Sequence, residues 1–283
     1  MKEYKEDEYE VQVFNSMSEV ADHILSTEDI EDYELTKSRT LSRDFYGKPK
    51  SFKNLIDWLR YGQETQTEAF IDNLKDAGTS IDVNDGIFRD IEGFAYDMGS
   101  VVKGEPECCL NTGAPSPRPS LSIFIDTGYC GGVEAETINY RGFAIVKLIN
   151  TLIAKGYLLD IHFVHYITTG GGCSKSYCAH LFKVNTDFLA LSTIGFASTC
   201  TFFRCITWLL TAIQNCNKDY EGDGCSRPSS DVIKKLKKKG LFIPSGYTDG
   251  FFESCSKEDA EKRIVEIFNK WAEKNHSEKL STL

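Results

Sequence analysis

Residues 121–166 read LSIFIDTGYCGGVEAETINYRGFAIVKLINTLIAKGYLLDIHFVHY, and their pattern of apolar residues and glycines decides the fold. The apolar run at 121–125, bounded by Pro119 and Asp126, is typical of a strand buried on both faces. A glycine-rich loop at 128–132 leads to an amphipathic helix over 138–155, and residues 157–166 are expected to return as a strand. Such a βαβ unit requires a parallel sheet covered by helices. We therefore predict an α/β fold with a mixed, mostly parallel sheet.

The chain beyond this unit continues the same α/β pattern. Three glycines at 170–172 predict a turn after which a strand pairs antiparallel with the strand at 157–166. The remaining predicted elements are that strand at 179–184, helices begun by Asp187 and by Thr199 or Thr201, a helix begun by Ser230, a strand at 241–243, and a helix from a capping box at Ser256 and Asp259 to about residue 273.

The chain before this unit has a mainly helical pattern. The first ten residues are charged and are expected to be frayed, although the alternation YEVQVF at 9–14 predicts a short strand. Helices are predicted at 18–24, 51–62, 67–78 and 85–102. Prolines concentrate between residues 104 and 119, which predicts a connecting loop. We therefore expect a helical N-terminal region, residues 1–110, packed on an α/β domain, residues 111–283.

The composition excludes some classes of function. The formal net charge of −10 repels phosphate backbones, so we expect no nucleic-acid partner and no binding to anionic membranes. The start, MKEYKEDEYE, has no apolar core of a signal peptide, and residues 188–213 are better divided into two buried helices than joined into a membrane span. These patterns predict a cytoplasmic protein in which the ten cysteines are reduced thiols.

Five stretches together resemble a known family. They are SFKNLIDWLRYG at 51–62, IEGFAYDMGSVVKGEPECCLN at 91–111, LSIFID at 121–126, TINYRGFAIVKLINTLIAKGYLLDI at 137–161 and DFLALSTIGFASTCTFFR at 187–204. They resemble a family of bacteriophage and prophage proteins of unknown function whose centre is similar to a von Willebrand A-type, Rossmann-like α/β fold. The family's Asn-x-Arg-Gly element stands at 139–142, and its Gly-(Asp/Glu)-Pro element stands at 104–106. The resemblance implies a phage-encoded protein in the host cytoplasm, and it implies no particular activity.

The loop after residue 125 is the first candidate site. A von Willebrand A domain holds a divalent cation there with an Asp-x-Ser-x-Ser motif, whose oxygens suit Mg²⁺. In this chain glycine and cysteine replace the two serines. Asp126 at the strand end, with Asp187 as a second oxygen ligand, remains a candidate site for Mg²⁺ or Mn²⁺, but a carboxylate that caps the following loop is the interpretation we favour. The candidate ligand or partner-binding residues are Asp126, Thr127, Gly128, Cys130, Asn139 and Arg141.

Other chemistry-bearing residues fit ordinary structural roles better. The glycine loops at 128–132 and 170–176 match no phosphate-binding motif, so turn formation is the interpretation we favour. His162 and His165 lie three residues apart on a predicted strand and point to opposite faces. Arg141 and Arg204 stand in apolar helical surroundings, where we expect them to anchor buried carboxylates or helix-end carbonyls. Among the cysteines, Cys130 alone is placed as a nucleophile would be, in a loop before a helix.

Three functional hypotheses remain open. The first is a non-enzymatic interaction module in which the edge at 126–132 and the N-terminal region bind a phage or host protein, because no catalytic set is complete. The second is a metal-dependent enzyme acting on a phosphate or nucleotide, with Asp126 and Asp187 as ligands. The third is a structural component of the virion.

Overall fold

The apolar run that opens the βαβ unit forms a buried strand, Ser120–Asp126, near one edge of a seven-stranded mixed sheet. The structure is a computed structural model, and it describes residues 1–6, 9–27, 47, 49–63, 87–90, 95–96, 109–112, 119–129, 131–169, 176–184, 191–216, 222–225, 228–246, 248–275, 277 and 279–281.

The described strands and helices are numbered in chain order. The strands are β1 (Lys2–Glu6), β2 (Tyr9–Phe14), β3 (Ile87–Asp90), β4 (Ala95–Tyr96), β5 (Cys109–Thr112), β6 (Ser120–Asp126), β7 (Leu158–Thr169), β8 (Ser176–Val184), β9 (Gly222–Cys225) and β10 (Leu241–Ile243). The helices are α1 (Met17–Leu25), α2 (Phe52–Tyr61), α3 (Ala135–Ala154), α4 (Leu191–Ala197), α5 (Thr207–Cys216), α6 (Ser230–Lys239) and α7 (Lys257–Lys274), with a π-helix at Phe202–Ile206 and a 3₁₀ helix at Gly250–Glu253.

The main sheet has the strand order β1-β2-β8-β7-β6-β10, and β9 pairs with β7 beyond this path. Pairing is parallel for β10 with β6, β6 with β7 and β2 with β8. It is antiparallel for β1 with β2, β7 with β8 and β7 with β9. The strands β3, β5 and β4 form a separate antiparallel sheet. The predicted α/β class, the βαβ unit and the β7–β8 hairpin are thus confirmed.

The two faces of the main sheet are covered unequally. The larger apolar cluster joins one face to side chains of α1, α2, α3, α4, α5 and α7. The smaller cluster joins the other face to α6 through Leu236, which packs near Phe124 and Phe242. Among the described helices, none is both long enough and apolar enough to cross a membrane.

The N-terminal part of the chain differs from the prediction. Lys2–Glu6, expected to be frayed, pairs along its length with β2, because the charged side chains of an edge strand can stay in water while its backbone pairs. Since β2 itself pairs with β8, this segment belongs to the main sheet and does not pack on it as a helical layer. The helix predicted at 85–102 is wrong where the structure describes it, because β3 and β4 lie there. The predicted helix at 67–78 lies outside the described residues, and the domain boundary near residue 110 stays a prediction.

Helix boundaries follow the capping residues closely. Ser51 and Gly62 cap α2 and Ser256 caps α7, as predicted. α1 and α6 are capped by Ser16 and Ser229, slightly before the residues that the sequence indicated. In each of these four helices the serine hydroxyl accepts a hydrogen bond from a backbone N–H of the first turn, which satisfies a donor that has no partner within the helix.

Candidate functional site

Asp126, the last residue of β6, lies fully buried among hydrogen-bond donors. One carboxylate oxygen accepts the backbone N–H of Gly128 at 3.0 Å. The other accepts the hydroxyls of Ser245 at 2.7 Å and Thr248 at 2.9 Å, which follow β10. Burial raises the pKa of this carboxyl, and the three donors together with Arg141 oppose that rise. The side chain therefore caps its own loop and joins it to the loop after β10.

Arg141 of α3 is fully buried and joins the ends of two parallel strands. Its guanidinium donates to the backbone carbonyl of Asp126 at 2.8 Å, of Ile243 at 3.3 Å and of Pro244 at 2.9 Å. The rings of Tyr129, Phe203 and Phe252 surround it, each with its centroid 5.5–5.6 Å from the guanidinium carbon. This residue is a structural anchor, as predicted, although its acceptors are strand-end carbonyls and not those of a helix end.

The Asn-x-Arg-Gly element has a structural reason at each of its fixed positions. The side-chain oxygen of Asn139 accepts the backbone N–H of Cys200 at 2.8 Å. A Cβ at Gly142 would lie 1.8 Å from the carbonyl oxygen of Ser198, so only glycine lets α3 approach the turn after α4 this closely. With Arg141 between them, these residues hold α3 against the sheet and against α4. The element therefore specifies packing.

Thr127 connects the strand end to a pair of buried histidines. Its hydroxyl donates to the carbonyl of Val164 at 3.1 Å and lies 3.3 Å from Nδ1 of His165. Nε2 of His165 lies 3.2 Å from the hydroxyl of Thr211. His165 and His180, paired across β7 and β8, stack with ring centroids 5.9 Å apart. Burial lowers the pKa of His165 to about 3 and lowers the pKa of His180 well below its ordinary value, so both rings are neutral.

The structure brings four of the predicted site residues together and buries them. Asp126, Thr127, Gly128 and Arg141 all lie at the carboxyl ends of β6 and β10. Cys130 and Asp187 lie outside the described residues. The side chains of Asp126, Thr127 and Arg141 are buried and form hydrogen bonds within the protein. Asp126 and Arg141 are therefore not exposed for contact with a partner. The prediction that this loop itself forms the docking edge is therefore not supported at these positions.

The fit of a divalent cation to this cluster is poor. Asp126, Ser245 and Thr248 supply three converging oxygens, which is the donor type that Mg²⁺ and Mn²⁺ prefer. The two hydroxyls, however, direct their hydrogens at the carboxylate, and the positive charge of Arg141 lies nearby. Among the described residues there is no group of three or more histidine, cysteine, aspartate or glutamate side chains that could hold a metal.

Cys200, Cys205 and Cys255 are buried free thiols. Burial raises the pKa of Cys200 to about 11 and also raises the pKa of the other two. A thiol with a raised pKa is a poor nucleophile at neutral pH, so none of these three is suited to covalent catalysis.

An open cleft of about 580 Å³ lies beside this cluster, along the outer side of the edge strand β10. We call it the β10 cleft. Thr248 links the cleft to the Asp126 cluster, because it lines the cleft and its hydroxyl donates a hydrogen bond to Asp126. The next residue, Asp249, also lines the cleft. The full lining is Ile233, Lys237, Gly240, Leu241, Phe242, Pro244, Thr248, Asp249, Arg263, Ile267, Lys270, Trp271 and Lys274.

The β10 cleft combines an apolar interior with a basic rim. Leu241 and Phe242 of β10 and Trp271 of α7 supply apolar surface. Lys237, Lys270 and Lys274 are exposed, and within the described part of the chain none of them forms an ion pair. Asp249 is the acidic residue of the lining, and Arg263 neutralises it through an ion pair at 2.7 Å. The cleft is thus locally positive on a protein with a net charge of −10.

The lysines of this cleft are visible in the sequence, but the cleft that they line is not. A lysine-rich run such as the one at 234–239 is typical of the solvated face of a helix, which fits Lys234 and Lys238. Lys237 lines the cleft together with residues of α7, more than twenty-five positions away. The spacing of Ile267, Lys270, Trp271 and Lys274 on one side of α7 was the available signal, and it does not say which strand lies beneath.

The comparisons with known proteins give one match. Residues 2–270 match a protein family described as a domain of unknown function (DUF7192). No curated protein and no solved structure matches the chain.

Proposed function

The chain belongs to the family described as a domain of unknown function (DUF7192), and on this premise we propose that it is a non-enzymatic protein-interaction module that binds its partner in the β10 cleft. The observation that carries the proposal is the set of three exposed lysines around an apolar cleft, which form no ion pair with any residue that the structure describes. A basic rim attracts a partner of opposite charge, and an apolar interior gives the contact its affinity.

The polar groups at the strand ends support a binding role over a catalytic one. Asp126, Arg141 and Thr127 are buried, and their hydrogen bonds join strands, helix and loops. A catalytic group needs access to a reacting atom, and these three have none. The interaction surface is therefore proposed at the cleft and not at the loop that follows β6.

The sequence resemblance adds three further proposals. We propose that the protein is phage-encoded, that it acts in the host cytoplasm and that its partner is a phage or host protein. A relation of the sheet to the von Willebrand A-type fold is also a proposal from the sequence, and a virion component stays open as a third function. Mass spectrometry of purified particles separates that last possibility from an accessory protein.

Charge reversal in the cleft tests the proposed function. Replacing Lys237, Lys270 and Lys274 together by glutamate is expected to reduce the partner recovered with the tagged protein from producing cells by about tenfold or more, because the rim then repels an acidic surface. The measurement is quantitative mass spectrometry of the captured proteins. The matched control replaces three other exposed lysines, Lys53, Lys238 and Lys262, by glutamate. These do not line the cleft, and the net charge changes by the same amount in both variants. Equal recovery with both variants would remove the cleft as the binding surface.

A metal-dependent enzyme acting on a phosphate or nucleotide remains the second candidate, favoured by the three oxygens of Asp126, Ser245 and Thr248. A ligand that binds the folded state raises its stability by mass action. We expect saturating Mg²⁺ or Mn²⁺ to leave the Tm of the protein unchanged, because Arg141 and the inward-directed hydroxyls oppose a cation. A rise in Tm that EDTA reverses, and that the Asp126→Asn variant lacks, would favour the enzyme instead.

A further inference from the structure

We propose that the occupant of the β10 cleft is an acidic segment of a protein, with an apolar side chain between its carboxylates. The inference rests on the proposed function and specifies its partner. It follows from three features of the cleft: the ends of the helices that line it, the position of its lysines and the chemistry of its interior.

The helices present their carbonyl ends to the cleft. α6 ends at Lys239, and Gly240 directly after it lines the cleft. α7 contributes Lys270 and Lys274 from its last two turns. The C-terminal end of a helix carries partial negative charge that opposes any anion against it, so the carboxylates of the segment must lie at the lysines of the rim, whereas phosphate sites use the N–H groups at a helix N-terminus. The lining contains no start of an α-helix within the described residues, and the short 3₁₀ helix Gly250–Glu253 is capped by Asp249 of the lining, whose carboxylate accepts the N–H of Phe251. A compact phosphate would therefore meet a carboxylate at that helix start.

The positive charge is spread over two helices and not focused at one point. Lys237 stands on α6, and Lys270 and Lys274 stand one turn apart on α7. Lysine is a flexible point charge, while tight recognition of one phosphate or carboxylate normally uses the two-pronged geometry of arginine. The one arginine of the lining, Arg263, is already paired with Asp249 and Glu266. This arrangement suits several carboxylates along a segment.

The remaining surface of the protein disfavours a polyanion such as nucleic acid. A nucleic-acid strand extends well beyond a cleft of this size, and the net charge of −10 would repel the phosphates outside it. An acidic peptide places a few charges at the rim and then leaves the surface. The negative charges of such a peptide therefore lie only at the basic rim of the cleft, which is the part of the surface that attracts them.

The apolar interior of the cleft favours an apolar side chain between the carboxylates of the bound segment. Phe242 lies in the cleft with the ammonium of Lys237 5.9 Å from its ring centroid. Ile233, Ile267 and Trp271 complete an apolar surface on the two helices. The volume of about 580 Å³ lies in the range of sites that hold a small ligand, so it accommodates one or a few apolar side chains. Burying such a side chain supplies affinity that exposed ion pairs alone do not.

Defined peptides test the inference on the intact protein. The probe is a short fluorescein-labelled peptide with glutamates at both ends and leucine and phenylalanine at its centre, followed by fluorescence anisotropy. We expect saturable binding that weakens by about tenfold or more when glutamine replaces glutamate or serine replaces the two apolar residues. The Lys237→Glu, Lys270→Glu, Lys274→Glu variant should lose binding, and the control with Lys53, Lys238 and Lys262 replaced should keep it.

The outcomes separate this inference from the proposed function. If cleft charge reversal removes the cellular partner but no acidic peptide binds, the acidic segment is wrong and the interaction module stands. If neither experiment depends on the cleft lysines, both fail. Binding of ATP or of a single-stranded oligonucleotide that exceeds binding of the acidic peptide also overturns the inference, because it identifies a phosphate ligand.

Discussion

Replacing Arg141 by alanine lowers the free energy of unfolding by about 3–5 kcal/mol, which is the largest single-residue effect that we expect in this protein. The change removes the donor of three backbone carbonyls at the ends of β6 and β10. It also removes the positive charge that partly offsets the burial of Asp126, and it leaves a cavity among three aromatic rings. Urea denaturation followed by far-UV circular dichroism measures the loss.

Two further variants separate anchoring from a general effect of charge. Arg141→Lys keeps the charge but cannot reach three acceptors with a planar fork, so we expect it to fall between the wild type and the alanine variant. Arg60→Ala removes a half-buried arginine paired with the exposed carboxylate of Asp22 and should change stability by about 0.5 kcal/mol or less. A midpoint for Arg141→Ala equal to that of the wild type would show that the strand ends do not need this residue.

Acidification destabilises the protein through its buried histidines. In the folded state the pKa of His165 is about 3 and that of His180 is well below 6.5, while in the unfolded chain both titrate near 6.5. Below about pH 6.5 both histidines are therefore protonated in the unfolded state but not in the folded state. Each of them then lowers the free energy of unfolding by about 1.4 kcal/mol for every pH unit of further acidification. For His165 alone, the loss reaches about 3 kcal/mol near pH 4.

The opposing contribution at low pH comes from Asp126. Its raised pKa means that the folded state takes up a proton before the unfolded state does, which favours folding as the pH falls. Because two histidines, and also His23 with its lowered pKa, act in the other direction, we expect a net loss. The measurement is the urea midpoint between pH 7.5 and pH 4. The double variant His165→Gln, His180→Phe should flatten this dependence, and an equally steep profile in the variant would contradict the assignment.

The sequence predicted the centre of the fold and the caps of its helices because both depend on local patterns. The apolar run before Asp126 and the amphipathic helix after it define β6 and α3 without reference to the rest of the chain. The loop-capping role of Asp126 was also accessible, since a carboxylate at a strand end before glycine commonly accepts a backbone N–H. In contrast, Ser245 and Thr248 lie more than a hundred positions from Asp126 and carry no local mark of their contact with it.

The elements that the sequence missed depend on distant partners. Lys2–Glu6 has the composition of a solvated segment, and it forms a strand because β2 offers it a backbone edge. β10 is too short to identify a cleft, and the cleft exists because α6 and α7 lie on opposite faces of the sheet at this strand. Residues on one face of a single helix can be predicted, but the joint lining of a cleft by two helices and a strand cannot.

The parallel pairing of β2 with β8 has a consequence for synthesis on the ribosome. Tyr9 of β2 pairs with Tyr177 of β8, so β2 has no neighbour on that side until more than 160 further residues have been made. Until then, an exposed strand edge is available to other nascent chains, and closure of so long a loop is slow. β1 and β2 can therefore join the rest of the sheet only after β8 has been made, although they precede it in the chain, and a fusion partner placed before them would be held close to the site of this late step.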